Sequence, residues 1–387
     1  MPPHDSRLPQ PAPEALAHSQ ALVRAIAREI QASGGWIDFA RYMERALYAP
    51  GLGYYAGGAA KFGGEGDFIT APELSPLFAA TLARQAAEVL AQAPGDVLEL
   101  GAGSGRMAAE LLCALDELDR LPRRYRILEP SASLRLRQQA RLAQLPAGLA
   151  QRVEWLEQLP EAVCGLVLGN EVLDALPVHL IVWRDDGILE RGVAWRNERL
   201  EFEDRPLGDG ALLAAARRIA PPAPYVSEIA LAAPALVRSL AERVVQGLLL
   251  FVDYGFGAAE YYHPQRARGT LMCHYRHRAH DDPFFLPGLQ DITAHVNFSA
   301  MAQAGVEAGM TLLGYTTQSH FLINLGITEL LARTPAEQPA SYLPLAAQAQ
   351  RLLSPSEMGE LFKAIALGRG MGAGLSGFTR GDLGRLL

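Results

Sequence analysis

Apolar positions along the chain follow a helical period first and then alternate between two periods. Leu16, Leu22, Val23, Ile26 and Ile30 recur at helical spacing and predict a helix over 15–32, closed by Ser33-Gly34-Gly35. Residues 39–46 predict a second helix with Asp38 as its N-cap. An irregular stretch over 48–76 follows. Its aromatics Tyr54, Tyr55, Phe62 and Phe68 argue for a functional loop rather than disorder. Residues 77–91 form an apolar helical pattern. From Gly95 onward short apolar runs at 97–100, 125–128, 153–156 and 166–169 alternate with helical ones, the mark of a doubly wound parallel sheet.

After Pro177 the pattern changes. Residues 179–184, 188–196 and 200–203 read as short antiparallel strands with turns at Asp185-Asp186-Gly187 and Arg196-Asn197-Glu198, an inserted β-meander. Helix returns over 234–246, and 247–252 is a fifth core strand that ends at Asp253-Tyr254-Gly255. A second irregular stretch spans 256–291. Residues 293–309 read as helix and 311–319 as strand. Residues 325–362 read as helix broken by Pro335, Pro339, Pro344 and Pro355. Residues 364–367 read as the last strand, with 375–379 pairing near it. The expected division is a disordered tail over 1–14, N-terminal helices with a lid loop over 15–92, and a core over 93–387. That core carries the meander at 178–205 and a helical insertion at 322–362.

Within this pattern one segment carries chemistry. Val97-Leu98-Glu99-Leu100 runs into Gly101-Ala102-Gly103-Ser104-Gly105, and a helix starts at Arg106. Strand, glycine turn and helix start let backbone approach a nucleotide-like ligand without Cβ clashes. A dinucleotide site uses the spacing G-x-G-x-x-G, but here bulky Arg106 follows the third glycine. G-x-G-x-G with Glu99 two residues before it is similar to the first motif of class I S-adenosylmethionine (SAM) methyltransferases. Glu129 ends the next strand, where such enzymes hold the ribose hydroxyls. NAD sites also place an acid there, so Glu129 alone does not discriminate. Ligands of open parallel sheets bind beyond the carboxyl ends of the strands. The polar residues expected on that lip are Glu99, Glu129, Asn170, Glu171, Asp253 and Tyr254. Gly66-Asp67-Phe68-Ile69-Thr70-Ala71-Pro72-Glu73 adds an aromatic, a hydroxyl and an acid from the first loop.

Composition narrows the class. With 387 residues, 49% hydrophobic and 20% charged, the chain can bury a sizeable core in one or two domains. A net charge of −7 argues against a general nucleic-acid binder. Cys113, Cys164 and Cys273 are odd in number and widely spaced, which makes neither a disulfide framework nor a zinc pattern and fits a reducing compartment. His274, His277 and His280 lack an acid or cysteine at ligand spacing, so no metal is expected. No apolar run is long enough to span a membrane. Residues 1–13 are Pro-rich and polar without signal-peptide or transit-peptide character, and the expected location is the cytoplasm.

Six motifs in this order resemble the MidA-like family of SAM-dependent methyltransferases, which includes the mitochondrial arginine methyltransferase needed for respiratory complex I assembly. They are Tyr48-Ala49-Pro50-Gly51-Leu52-Gly53-Tyr54-Tyr55, the first-loop motif 66–73, the glycine segment 97–105, Asn170-Glu171-Val172-Leu173-Asp174-Ala175-Leu176-Pro177, Asp253-Tyr254-Gly255, and Arg268-Gly269-Thr270-Leu271-Met272-Cys273-His274-Tyr275. The resemblance covers residues 36–378. It implies a Rossmann-like class I core, SAM as cofactor, and methyl transfer to a protein arginine. Glu99, Gly101, Gly103, Gly105, Glu129, Asn170 and Thr70 are the cofactor-binding candidates. Glu171, Glu73 and Asn170 are the catalytic candidates, the two carboxylates caging a guanidinium. Phe68, Asp174, Asp253, Tyr254, His274 and Asp291 are the substrate-side candidates. The loops 66–73 and 274–291 are expected to form a lid, and a homodimer is compatible with the sequence. A small-molecule methyltransferase, a SAM-binding assembly factor with little catalysis, and a dehydrogenase are the competing readings.

Overall fold

The computed structural model describes residues 8–57 and 70–387. The chain divides into two compact units. One comprises Met1–Phe68, Asp174–Ala233 and Ala259–His295, the other Ile69–Leu173, Pro234–Ala258 and Val296–Leu387.

The second unit is built on a twisted sheet of β1 (Asp96–Leu100), β2 (Tyr125–Leu128), β3 (Val153–Leu156), β4 (Val163–Asn170), β5 (Val244–Phe256), β6 (Thr311–Thr317) and β7 (Phe362–Arg369). Their order is β3-β2-β1-β4-β5-β7-β6. β1 to β5 are parallel, and β7 runs antiparallel to both β5 and β6. The order reverses between β1 and β4, so the ligand-binding crevice of an open α/β sheet falls beside these two strands. Four helices set this region: α1 (Ala71–Leu74), α2 (Pro76–Gln92), α3 (Arg106–Glu117) and α4 (Ala132–Leu142). Leu77, Phe78, Leu82 and Val89 of α2 and Met107, Leu111, Leu112 and Leu115 of α3 are buried against Val97, Leu166, Leu168, Leu248 and Leu250 of the strands. Each such side chain contributes about 1.5–3 kcal/mol by leaving water. This packing fixes the strand ends on which the site stands.

The other unit holds the meander. Val178–Arg184, Gly187–Arg196 and Arg199–Pro206 form antiparallel pairs, flanked by Trp36–Asp38 and Tyr225–Ala230. Helices Pro13–Ala32 and Phe39–Tyr48 lay Leu22, Ile26, Ile30, Phe39, Tyr42 and Met43 into its core. Asp38 caps the second helix as the sequence predicts, accepting from Arg41 N at 2.8 Å.

Several expectations need correction. The fifth core strand does not end before Asp253. Backbone pairing of Asp253 with Lys363 and of Tyr254 with Phe362 carries β5 on to Phe256. The irregular stretch before Asp291 contains a hairpin, Met272–Tyr275 with Arg278–His280, joined by Asp291–Thr293. The helix expected from 293 starts at Phe298, after a short pairing of Val296–Asn297 with β5. The helical reading over 325–362 resolves into Ile327–Leu331 and Pro339–Leu353, with Phe362 already in β7, and a further helix, Gln318–Asn324, precedes it. Ser376–Phe378 is a 3-10 turn, not a strand. Of the lid motif, residues 66–69, and with them Phe68, lie outside the described residues, and Thr70 is the N-cap of α1. No described helix is long and apolar enough to cross a membrane.

Candidate active site

Register places the site residues side by side. Leu100 pairs with Leu128 on one flank and with Gly169 on the other, and Asn170 pairs with Val252. The residues that follow, Glu129, Gly101 and Asn170-Glu171, therefore emerge on adjacent strands along one lip. The glycine turn takes φ values of 62° at Gly101, 53° at Gly103 and 78° at Gly105, a left-handed run that non-glycine residues resist. Gly105 meets a second constraint, since a Cβ there would sit 3.2 Å from Gln138 Cα. Helix α3 starts directly after, at Arg106.

Two buried carboxylates flank the turn. Glu129 accepts from Ser131 N at 2.9 Å through Oε1 and from Gln138 Nε2 at 3.0 Å through Oε2. Burial raises its carboxyl, and these two donors oppose the rise. Glu99 is fully buried and accepts from the Tyr125 hydroxyl at 2.7 Å. Burial, opposed by that bond and helped by nearby Glu129, lifts its carboxyl from 4.5 to about 7. The folded protein therefore holds a proton that the unfolded chain loses at lower pH. Stability that is present below pH 4.5 is lost as pH rises toward 7 and is flat above. Glu99→Gln removes that slope. Urea melts of cofactor-free protein should show the variant gaining roughly 2–3 kcal/mol relative to wild type between pH 5 and pH 8. A stability difference that does not change with pH would refute the buried, proton-holding role of Glu99.

The third group is Asn170-Glu171. Glu171 is not glycine, yet its φ is 52°. Such a residue costs on the order of 1 kcal/mol and is a pointer to function. Its backbone N donates to Val252 O at 2.9 Å, which pins the turn to β5. Its Oε1 accepts from Asn170 Nδ2 at 3.1 Å and from Ala71 N, the first residue of α1, at 3.3 Å. Asn170 Oδ1 is a buried polar atom that accepts no hydrogen bond from the described residues. A buried acceptor of this kind calls for a donor. A ligand with amine or hydroxyl donors suits it, as the ribose and methionine ends of SAM do.

The structure gives Glu73 a different surrounding from a cage around an acceptor. The Ser104 hydroxyl donates to its carboxylate, Arg106 Nη1 donates to its backbone carbonyl at 2.7 Å, and the same guanidinium lies 3.9 Å from Oε2. Glu73 thus braces the glycine turn. Thr70 makes no side-chain cap bond and serves to present Ala71 N. Asp253 is committed to the chain: its carboxylate accepts from Val172 N at 3.1 Å, Leu173 N at 2.9 Å and Tyr254 N at 2.9 Å. It shapes the turn after β4. Tyr254 stacks edge-on against Phe362 in the core.

Three substrate-side candidates belong to the other unit. Asp174 is buried, and its backbone carbonyl accepts from Ala294 N. Asp291 accepts from the Tyr55 hydroxyl at 2.9 and 3.0 Å and from Ile292 N. His274 lies in the hairpin strand, where burial and then His280 lower its imidazole to about 4, so it is neutral at pH 7. Sequence reasoning missed Gln138, which has no motif around it. It also missed Glu228, whose buried carboxylate accepts from Thr270 N and Leu271 N at 2.8 Å each and leaves no room for a side chain at Gly269.

Residues 81–316, well over half of the chain, match the model of a family described as “Putative S-adenosyl-L-methionine-dependent methyltransferase”. The chain belongs to that family. Among solved structures, the methyltransferase is similar to a Burkholderia thailandensis protein bound to S-adenosyl-homocysteine, at 52% identity and a TM-score of 0.95 over 98% of this chain and 100% of that one. A second structure from Burkholderia thailandensis shares 51% identity with a TM-score of 0.92, covering 98% and 100%. Among characterised relatives, the mouse “Protein arginine methyltransferase NDUFAF7, mitochondrial” is 28% identical over 89% of this chain and 84% of its own length. The Drosophila melanogaster homologue is 28% identical over 93% and 88%. SAM is the cofactor of this methyltransferase, and the Rossmann-like class I reading of the fold holds. A dehydrogenase is set aside.

Proposed function

We propose that this methyltransferase acts on the guanidinium of a protein arginine, on a subunit of respiratory complex I or a similar protein. The observation that carries the reading is Glu171, an acid held in a left-handed backbone turn at the switch point of the sheet. Relatives along nearly the whole chain are named protein arginine methyltransferases, which supports it. A guanidinium stays protonated in water, with a pKa above about 12, and its nitrogens are poor nucleophiles. A carboxylate facing it forms charge-assisted bonds, draws the positive charge toward the nitrogens it holds, and turns the remaining nitrogen toward the electrophile. Bound SAM supplies a methyl group on a sulfonium. Transfer to the guanidinium nitrogen would leave the C–S electron pair on sulfur, releasing neutral S-adenosylhomocysteine, and the proton displaced from the nitrogen would pass to solvent. Glu171 holds and orients. Asn170 fixes one oxygen of Glu171 by its amide. Glu73 and Ser104 keep the glycine turn in place.

Mass spectrometry of the host proteome with and without this gene tests the substrate. The expected result is a methyl-arginine that disappears from one protein when the gene is absent. Loss of a methylated small molecule, with arginine methylation intact, would refute the protein-arginine reading. A cytoplasmic location belongs to the same proposal. The three cysteines are all free thiols, which suits a reducing compartment, and cell fractionation checks it.

A further inference from the structure

Gln138 sits on α4 with no exposed surface. Its Oε1 accepts from Trp155 Nε1 at 3.0 Å. That donor settles the orientation of the amide, because an indole N–H has no other way to bond it. Nε2 must then face the other way. There it donates to Gly103 O and to Glu129 Oε2, both at 3.0 Å. The amide therefore joins two parts of the cofactor cradle that come from different strands: the middle glycine of the turn after β1 and the acid after β2. Packing alone does not require glutamine here. Its Cβ and Cγ lie against Gly105, a contact that methionine would also make. What glutamine adds is the pair of N–H bonds, and an unsatisfied buried amide is costly enough that apolar residues are the default at such a position.

We propose that Gln138 is a positioning residue that holds the Glu129 carboxylate and the Gly103 carbonyl as one preformed receptor for the two ribose hydroxyls of the cofactor. Trp155 sets its orientation from behind. Glu129 is then aimed from both sides: Ser131 N fixes one oxygen at 2.9 Å and Gln138 the other. The ribose meets a carboxylate that has no rotamer freedom left to lose. This rests on the placement of the ribose at Glu129.

The test compares S-adenosylhomocysteine with its 2′,3′-dideoxy counterpart by calorimetry, in wild type, Glu129→Ala, Gln138→Met and Trp155→Phe. Wild type should prefer the hydroxylated ligand by about a hundredfold, as expected for hydrogen bonds to a charged group. Gln138→Met should cut that preference to about tenfold or less, while affinity for the dideoxy ligand stays within about threefold. Trp155→Phe removes the indole N–H together with the five-membered ring that carries it, and should lower the preference by about threefold. An unchanged preference in folded Gln138→Met, or equal weakening of both ligands, overturns the proposal. If Gln138→Met does not fold, an unchanged preference in Trp155→Phe overturns it instead. Glu129→Ala separates the two levels. Full preference retained there overturns the ribose placement itself, whereas preference lost there but kept in Gln138→Met overturns only the role of Gln138.

Discussion

Gly103→Val should bind S-adenosylhomocysteine at least about a hundredfold more weakly than wild type, a loss of roughly 2.7 kcal/mol or more. The reason lies in the backbone. Gly103 holds a φ of 53° between two other left-handed glycines, and a β-branched residue is a steric outlier there. Valine pulls its own φ back to negative values. The carbonyl that Gln138 holds at 3.0 Å then turns away, and the turn loses the shape that admits a ligand close to main chain. The variant should still fold. The turn lies past the end of β1, and the buried side chains of α2, α3 and the strands are untouched. Calorimetry on a variant whose thermal melt remains cooperative checks this. Unchanged affinity, or tighter binding of NADH than of S-adenosylhomocysteine, would remove the glycine turn as the cofactor site.

How much of this was readable beforehand depends on the range of the interaction concerned. β1 (Asp96–Leu100), β2 (Tyr125–Leu128) and β3 (Val153–Leu156) follow the sequence reading because each is a short apolar run bounded by turn residues or charges. A buried parallel strand such as β1 is largely continuous in hydrophobicity, which makes it legible even without a partner in view. The end of β5 was not legible. Asp253 and Tyr254 look like loop chemistry, and only pairing with Lys363 and Phe362, more than a hundred residues on, keeps them in the strand. The hairpin at Met272–Tyr275 and Arg278–His280 is too polar to show an alternating pattern, and its turn is made by Arg276 and His277 at φ 49° and 61° without a glycine.

The site divides in the same way. Gly101, Gly103, Gly105 and Glu129 stand in a local motif, where spacing alone dictates geometry. Gln138 has no such motif. Its meaning comes from Gly103, Glu129 and Trp155 meeting around it. Glu73 is a different case. A conspicuous acid in a conspicuous loop suggests a catalytic cage, while in the structure Ser104 donates to its carboxylate and Arg106 to its backbone carbonyl. Acidic character near a site is visible in sequence, but the partner that uses it is not.

Glu171→Gln should lower turnover by roughly a hundredfold or more, about 2.7 kcal/mol of transition-state stabilisation, while affinity for S-adenosylhomocysteine stays within a few fold. Folding should be preserved. The hydrogen bonds that Oε1 accepts from Asn170 Nδ2 at 3.1 Å and from Ala71 N at 3.3 Å can both be accepted by a glutamine oxygen. The strained backbone, φ 52°, is unchanged by the swap because both side chains carry the same Cβ and Cγ. The swap removes the negative charge and turns the second oxygen into an amide donor. If the acceptor is a guanidinium, that charge opposes the spread of positive charge over the three nitrogens, and its loss appears in turnover rather than in cofactor binding. Glu171→Gly separates strain from chemistry. It relieves the left-handed residue and should be equally inactive, without the large loss of stability that a core residue would show. Wild-type turnover in folded Glu171→Gln would reject the acceptor-side role. Turnover lost together with cofactor affinity would move Glu171 to the cofactor side of the site. Turnover lost alone, with an uncharged small molecule as the acceptor, would keep the residue and discard the arginine.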